Sequence, residues 1–365
     1  MTLMQSMLNL SVLDLLPVRT DQSTADSVAA AVSLARRADD LGFTRFWVAE
    51  HHNMEAVAAT SPAVLIAHLA ANTRRIRVGS GGVMLPNHAP LTVAEQFSLL
   101  EAMHPGRIDL GIGRAPGSDP VTAYMLRGPR AEETGADSFP GDVELVAGLL
   151  GSYDTPISDP FDAVSQPSVT IPLRGQDYTL RSTPRTSSSP SVWLLGSSTY
   201  SARLAAREGL AFVYAHHFGQ SGIDDALALY RREFQPSPAL AEPATFLTVN
   251  AVVADTLEEA SALALPQLIT MARLRSGGTL GPRMTVEQAQ AVTLSPMEED
   301  LVADQSARWI IDTPEAAWSQ VTALAAKYGV DEVMVSPVAS DHEGHDAKVG
   351  VAAERTLELL AQQRG

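Results

Sequence analysis

The 365-residue sequence predicts an α/β fold, a TIM-type (β/α)8 barrel with insertions after strands 4 and 7. Three observations carry that prediction. Eight short β-rich runs alternate with helical stretches almost throughout, the pattern of βα units around a parallel sheet. The length suits one barrel enlarged by insertions, so residues 1–365 read as a single domain. Seven of the nine histidines (His51, His52, His88, His216, His217, His342 and His345) fall at or just past predicted strand ends, the rim where such barrels keep their working residues. His68 and His104 fall on helices.

Strand 1 covers 8–15. Ser23 with Asp26 three residues on resembles a capping box, opening a helix that presents Val28, Val32, Ala35 and Leu41 on one face until Gly42. Strand 2, 45–49, ends in Glu50-His51-His52. A helix over 61–72 with Pro62 in its first turn leads to strand 3, 76–85. The next helix, 90–103, turns Val93, Phe97 and Leu100 inward, and strand 4 is 107–113. The segment 115–190 breaks the rhythm and reads as an insertion over the barrel mouth, holding one helix (142–150) and a hairpin suggested by Thr170, Ile171, Leu173, Tyr178 and Leu180. Strands 5 and 6 are 192–195 and 211–215, each followed by a helix. Strand 7 is 246–253 with a helix over 257–274, and 276–306 reads as an irregular second insertion acting as a lid. A helix over 314–328, strand 8 at 332–335 and a helix over 347–362 complete the chain.

Composition excludes several chemistries. With no cysteine there is no disulfide, thiolate metal site or cysteine nucleophile. Only Lys327 and Lys348 among 26 basic residues are lysines, and neither is placed for Schiff-base chemistry. A net charge of −16 argues against nucleic-acid partners. No apolar run reaches the roughly 18 residues of a membrane span, and the start lacks a basic n-region, so a cytoplasmic protein is expected.

Two glycine-rich strand ends stand one βαβ unit apart, at Gly79-Ser80-Gly81-Gly82 and Gly111-Ile112-Gly113-Arg114. Such glycines either make tight turns or let something approach the backbone closely. Arg114 is a candidate anion clamp. Gly196-Ser197-Ser198 follows an apolar strand and opens a helix, which suits either a phosphate or ordinary serine capping. A metal hydrolase needs two or three histidines and a carboxylate converging on one ion. Neighbouring strand residues point to opposite sides, so each His-His pair offers at most one inward ligand. A metal site is therefore disfavoured against an organic cofactor in the barrel mouth.

The motifs Trp47-Val48-Ala49-Glu50-His51-His52, Gly79 to Pro86, His104 to Arg114, and Leu195-Gly196-Ser197-Ser198 together resemble the bacterial luciferase-like flavin-dependent monooxygenases, in particular their single-chain bacterial branch. The resemblance implies reduced FMN, or in some relatives F420, at the C-terminal rim. It implies a non-proline cis peptide at Gly81-Gly82 under the isoalloxazine ring, and a phosphate site made by Arg114 with Leu195, Gly196, Ser197, Ser198 and Ser201. His51 would be the catalytic histidine. Where luciferase has a cysteine beside the flavin, this chain has Gly113, so light emission is not expected. The expected activity is oxygenation of a small organic substrate by O2, with FMNH2 from a separate flavin reductase. An F420-dependent dehydrogenase, with His51 and Glu50 assisting hydride transfer, and a non-catalytic flavin-binding protein are the alternatives. A homodimer through the helices near strands 2 and 3 is expected.

Overall fold

The computed structural model describes residues 8–115, 119–127, 135–152, 167–218, 222–278 and 280–364. In chain order the elements are β1 (Asn9–Asp14), α1 (Thr24–Asp40), β2 (Arg45–Val48), α2 (Pro62–Ala71), β3 (Arg77–Ser80), β4 (Val83–Met84), α3 (Pro90–Met103), β5 (Ile108–Gly113), α4 (Pro120–Arg127) and α5 (Gly135–Leu149). They continue with β6 (Ser168–Leu173), β7 (Gln176–Arg181), β8 (Ser191–Gly196), α6 (Thr199–Glu208), β9 (Ala211–Tyr214), α7 (Ile223–Glu233), β10 (Thr245–Val253) and α8 (Leu257–Arg275). The last are α9 (Val286–Gln290), α10 (Pro296–Ser306), β11 (Ile310–Asp312), α11 (Pro314–Tyr328), β12 (Glu332–Pro337) and α12 (Val351–Arg364). Strands β1, β2, β3, β5, β8, β9, β10 and β12 pair in parallel and close when β12 meets β1, giving the expected barrel.

Local chemistry explains the element boundaries. Ser23 and Asp26 exchange both capping-box hydrogen bonds at the start of α1. The expected hairpin forms as β6–β7, with Ile171 opposite Tyr178 and Val169 opposite Leu180. Its turn residues Arg174 and Gly175 both have positive φ, the geometry of a two-residue hairpin turn.

Three expectations need correction. Strand 3 is not continuous over 76–85: β3 pairs with the lower half of β5 (Gly79 with Asp109) and β4 with the upper half (Val83 with Ile112). One strand advances four residues while the other advances three, so an extra residue bulges at Ser80–Gly82, where the Gly81–Gly82 peptide is cis. A 3-10 turn, Leu85–Asn87, follows. Second, 276–306 is not irregular: α9 and α10 each open with a capping box, Thr285 with Gln288 and Ser295 with Glu298. Third, β11 adds a strand to β10 outside the closed barrel, and α4 adds a helix after β5. Parts of the expected 115–190 insertion lie outside the described residues.

Side-chain alternation along the strands builds the interior. On β2, Phe46 and Val48 face the helices, while Arg45 and Trp47 face inward. Near the N-terminal ends, Asp109 accepts from Arg45 Nη1 (2.9 Å), Trp47 Nε1 (2.9 Å) and Arg77 Nε (2.9 Å). Glu332 accepts from Arg45 Nε (2.7 Å) and Ser11 Oγ (2.6 Å). Above this charged floor, Trp47, Trp193 and Phe246 pack with ring centroids 5.0–5.8 Å apart. The Arg45 guanidinium lies 4.8 Å from the Trp193 ring, so the cation is held by carboxylates on one side and an aromatic face on the other.

The floor should dominate the stability of the barrel. Asp109→Ala strips a fully buried carboxylate from the buried Arg45 and the half-buried Arg77 and is expected to cost about 3–5 kcal/mol in urea unfolding. Arg203→Ala, which removes the exposed ion pair with Glu233, should cost less than about 1 kcal/mol. Equal costs for the two would contradict this picture.

Candidate active site

The C-terminal end of β2 runs straight into Glu50-His51-His52, and the three side chains divide the work. Glu50 is fully buried and accepts hydrogen bonds from His52 Nε2 (2.7 Å), His88 Nε2 (2.8 Å) and the Met84 backbone N–H (3.0 Å). Burial works to raise its pKa, but the bonds from His88 and His52 outweigh it and hold the carboxyl below its ordinary value. Glu50 thus braces the loop after β4 against the end of β2. That commitment counts against the hydride-assisting role considered for it above.

His51 makes no such commitment. Its backbone N–H donates to Ala59 O (2.8 Å), while ring Nδ1 is buried without a partner among the described residues. Desolvation lowers its pKa, only partly opposed by the Glu50 charge, so the neutral imidazole is favoured. It lines a cavity of about 900 Å³ with His216 and His217. These two sit on a 3-10 turn, His216–Phe218, after β9, not on an extended strand. The one-inward-ligand argument therefore fails for this pair, since both face the same space. His217 Nδ1 lies 2.5 Å from Thr248 Oγ1, and burial followed by the nearby His216 and His51 pushes its pKa to about 4. The His216 pKa is lowered by burial and then by Lys327, and its Nδ1 is also buried without a partner. Among the described residues no group of three or more His, Asp or Glu side chains is arranged to hold a metal.

The expected glycine, arginine and serine residues gather on the β3–β5–β8 side, outside the lining of that cavity. A Cβ at Gly81 would stand 2.8 Å from Leu13 Cδ1, and one at Gly82 would stand 2.7 Å from Gly111 O. Gly82 is thus required by the neighbouring backbone, whereas at Gly81 only the tip of the Leu13 side chain stands in the way. Gly113 packs beside Met84, whose Sδ would lie 3.2 Å from an added Cβ. A Cβ on Gly196 would collide with Ser201 Cβ at 2.5 Å, so the buried Ser201 is seated against that glycine.

Ser198 is the N-cap of α6 with extended φ and ψ, yet its side chain makes no capping hydrogen bond. Ordinary serine capping is therefore absent, and the first-turn N–H groups are left for something else. Arg114, at the end of β5, lies with Cζ 4.4 Å above the Tyr200 ring in that first turn. Tyr214 Oη donates to Ser197 O (3.2 Å) and fixes the turn from β9. The structure thus brings Arg114, Gly196, Ser197, Ser198 and Ser201 together, with Leu195 packed on the interior aromatic cluster beneath them. A phosphate is the kind of group this corner fits: a cation beside an uncapped helix start.

Sequence reasoning missed the far wall of the cavity. Asn250, Thr270, Arg283, Gln305 and Trp309 line it from β10, α8, α10 and the connections between them. The two capping boxes at Thr285 and Ser295 were the readable signal that this stretch is built structure.

The family described as luciferase-like monooxygenase matches residues 8–332. A luciferase-like monooxygenase of Escherichia coli K12 is 38% identical over 353 residues, covering 96% of this chain and 97% of its own. The N-acetyl-S-alkylcysteine monooxygenase of Bacillus subtilis 168 is 33% identical over 332 residues, covering 90% and 92%. The crystal structure of apo-MsnO8 superposes with a TM-score of 0.81 at 32% identity, covering 97% of this chain and 98% of that one. A closed parallel barrel, an unpartnered rim histidine and this likeness along nearly the whole chain agree: the protein is an enzyme that belongs to the luciferase-like monooxygenase family.

Proposed function

We propose that the protein binds reduced FMN at the barrel mouth and uses it with O2 to oxygenate a small organic substrate, drawing FMNH2 from a separate reductase. The observation that carries this reading is the uncapped start of α6 beside Arg114, a corner suited to a phosphate. Bound reduced FMN supplies the activation of O2, a reaction for which F420 is unsuited because deazaflavins carry hydride. The name of the Bacillus relative supports oxygenation of small molecules.

In this reading the chain's own residues have separable tasks. Arg114 and the first-turn N–H groups of α6 hold the phosphate. The bulge at Ser80–Gly82 leaves backbone without side chains on the strand beside it. His51 presents a neutral ring with a free nitrogen, suited to donate or accept one proton at the reacting centre. Glu50 keeps β2 and the loop after β4 in place around it. The apolar cavity beyond His51 takes the substrate and keeps water away from it. The exposed Val64, Leu99 and Met103 on α2 and α3 support a homodimer.

Titration of the purified protein with FMN, FMNH2 and F420 separates the cofactors, and tight binding of F420 alone would overturn the proposal. Arg114→Ala is expected to weaken FMN binding by about tenfold or more, the scale of a lost charge-assisted contact. His51→Ala should keep most FMN affinity but lose substrate oxygenation by about 10²-fold or more; unchanged turnover removes His51 from the chemistry. Because burial lowers the His51 pKa, the neutral ring persists below pH 6.5. Turnover should therefore fall on acidification at a lower pH than protonation of an ordinary histidine would give, as the ring takes up a proton.

A further inference from the structure

The 900 Å³ cavity has a charge pattern opposite to that of the chain. The sequence carries 42 acidic and 26 basic residues, yet among the described residues the lining includes Arg275, Arg283 and Arg308 and no carboxylate. Arg275 and Arg308 share an acid outside the lining: Asp304 lies 3.5 Å from the first and 2.8 Å from the second. Arg283 differs. It is 7% exposed, it forms no ion pair within 4 Å among the described residues, and its Nε is buried without a partner. Its one side-chain hydrogen bond is long, from Nη1 to Ala339 O at 3.4 Å.

The nearest acids do not neutralise it fully. Asp341 is already engaged by Arg19 and by the Ala352 N–H (2.7 Å). Asp14 accepts the Leu16 N–H (2.9 Å) and, like Asp341, acts on Arg283 only from beyond ion-pair distance. Burial of an underneutralised guanidinium is costly unless an anion completes it. A second orphan lines the same cavity: Gln305, 2% exposed, has a buried Nε2 without a partner among the described residues. An amide N–H and a guanidinium N–H lining one apolar chamber are two donors suited to a planar acceptor pair.

We propose that this chamber selects an organic acid, whose carboxylate is taken by Arg283 and Gln305 and whose apolar body lies along Met271, Leu274, Leu324 and Trp309. The assignment deepens the reading of the cavity as the substrate chamber and rests on it. The acid site is distinct from the phosphate corner, because neither Arg114 nor the start of α6 lines the cavity. His51 lines the same chamber, so an acid anchored at Arg283 presents its apolar end within the space that the histidine faces.

The test is binding of octanoate and its neutral isostere octanamide to the purified protein at pH 7.5, followed by calorimetry, with FMN titrated in parallel. Octanoate should bind about tenfold or more tighter than octanamide, as expected of a charge-assisted pair. Arg283→Gln should abolish that preference, Arg283→Lys should restore part of it, and all should retain FMN binding. Gln305→Leu should weaken octanoate several-fold and leave octanamide unchanged, and it decides the matter if Arg283→Gln fails to fold. Equal affinity for the two probes in the wild type, or equal loss of both in the variants, overturns the proposal. So does competition between FMN and octanoate relieved by Arg114→Ala, which would make the anion site the flavin's. A preference for octanoate with no FMN binding would uphold the acid site while refuting the flavin reading.

Discussion

Asp109 is the side chain on which the barrel is built. It accepts from Arg45, Trp47 and Arg77, and so ties β2 and β3 to β5 at the charged floor. The tie dictates sequence above it. A Cβ at Gly79 would stand 2.6 Å from Asp109 Cβ and 2.7 Å from Trp47 Nε1, so the carboxylate and the indole it orients leave room only for glycine. Gly111, two residues past Asp109, is packed against the Ser80 carbonyl and exchanges hydrogen bonds with the Ser80 hydroxyl (2.9 and 3.0 Å). The run of glycines that makes the rim chemically distinctive thus begins as a packing consequence of a buried ionic layer. Such a layer contributes less by net attraction than by the cost of leaving any member unpaired, which fixes the register of the strands that carry it.

At the other end of the same strands, Glu50 does for the mouth what Asp109 does for the floor. Three donors converge on it, His52 from the segment after β2, the Met84 N–H from β4 and His88 from the loop after β4, and together they offset the cost of burying a carboxylate. The adjacent His51 is left with an unsatisfied nitrogen facing a cavity. That contrast between neighbours is informative. A buried polar atom without a partner costs on the order of 1–3 kcal/mol, and four of these in this structure, on His51, His216, Arg283 and Gln305, belong to residues lining one cavity. Stability alone gives no reason for that clustering, whereas a ligand with acceptors does.

The barrel and the corner where Arg114 meets the start of α6 were legible in the sequence because both are written in short range. The β-rich run at Arg45–Val48 and the Ser23–Asp26 capping box are local signals, and Gly196-Ser197-Ser198 is contiguous. The bulge between β3 and β4 was not legible, since its extra residue exists only relative to β5. The inward orientation of both His216 and His217 depends on a 3-10 turn that a His-His dipeptide does not announce. The far wall was hidden for a further reason. Arg283 reaches the cavity because the segment around it pairs with the loop after β1, through Thr20 N–H to Arg283 O and Arg283 N–H to Val18 O, at a separation of more than 260 residues.

The acidity of the chain and the basicity of its chamber are compatible because they act over different ranges. Surface carboxylates are screened within about 8 Å at physiological salt and set solubility more than recognition. Inside a low-dielectric cavity a single incompletely paired guanidinium outweighs many screened charges on the surface. On the two proposals, separate cations hold two anions at once: Arg114 with the start of α6, outside the cavity lining, and Arg283 with Gln305 within the lining that His51 shares. An enzyme that must place a phosphorylated cofactor and an acidic substrate side by side gains from this separation. Each anion carries its own countercharge, and the two are kept from competing for one site.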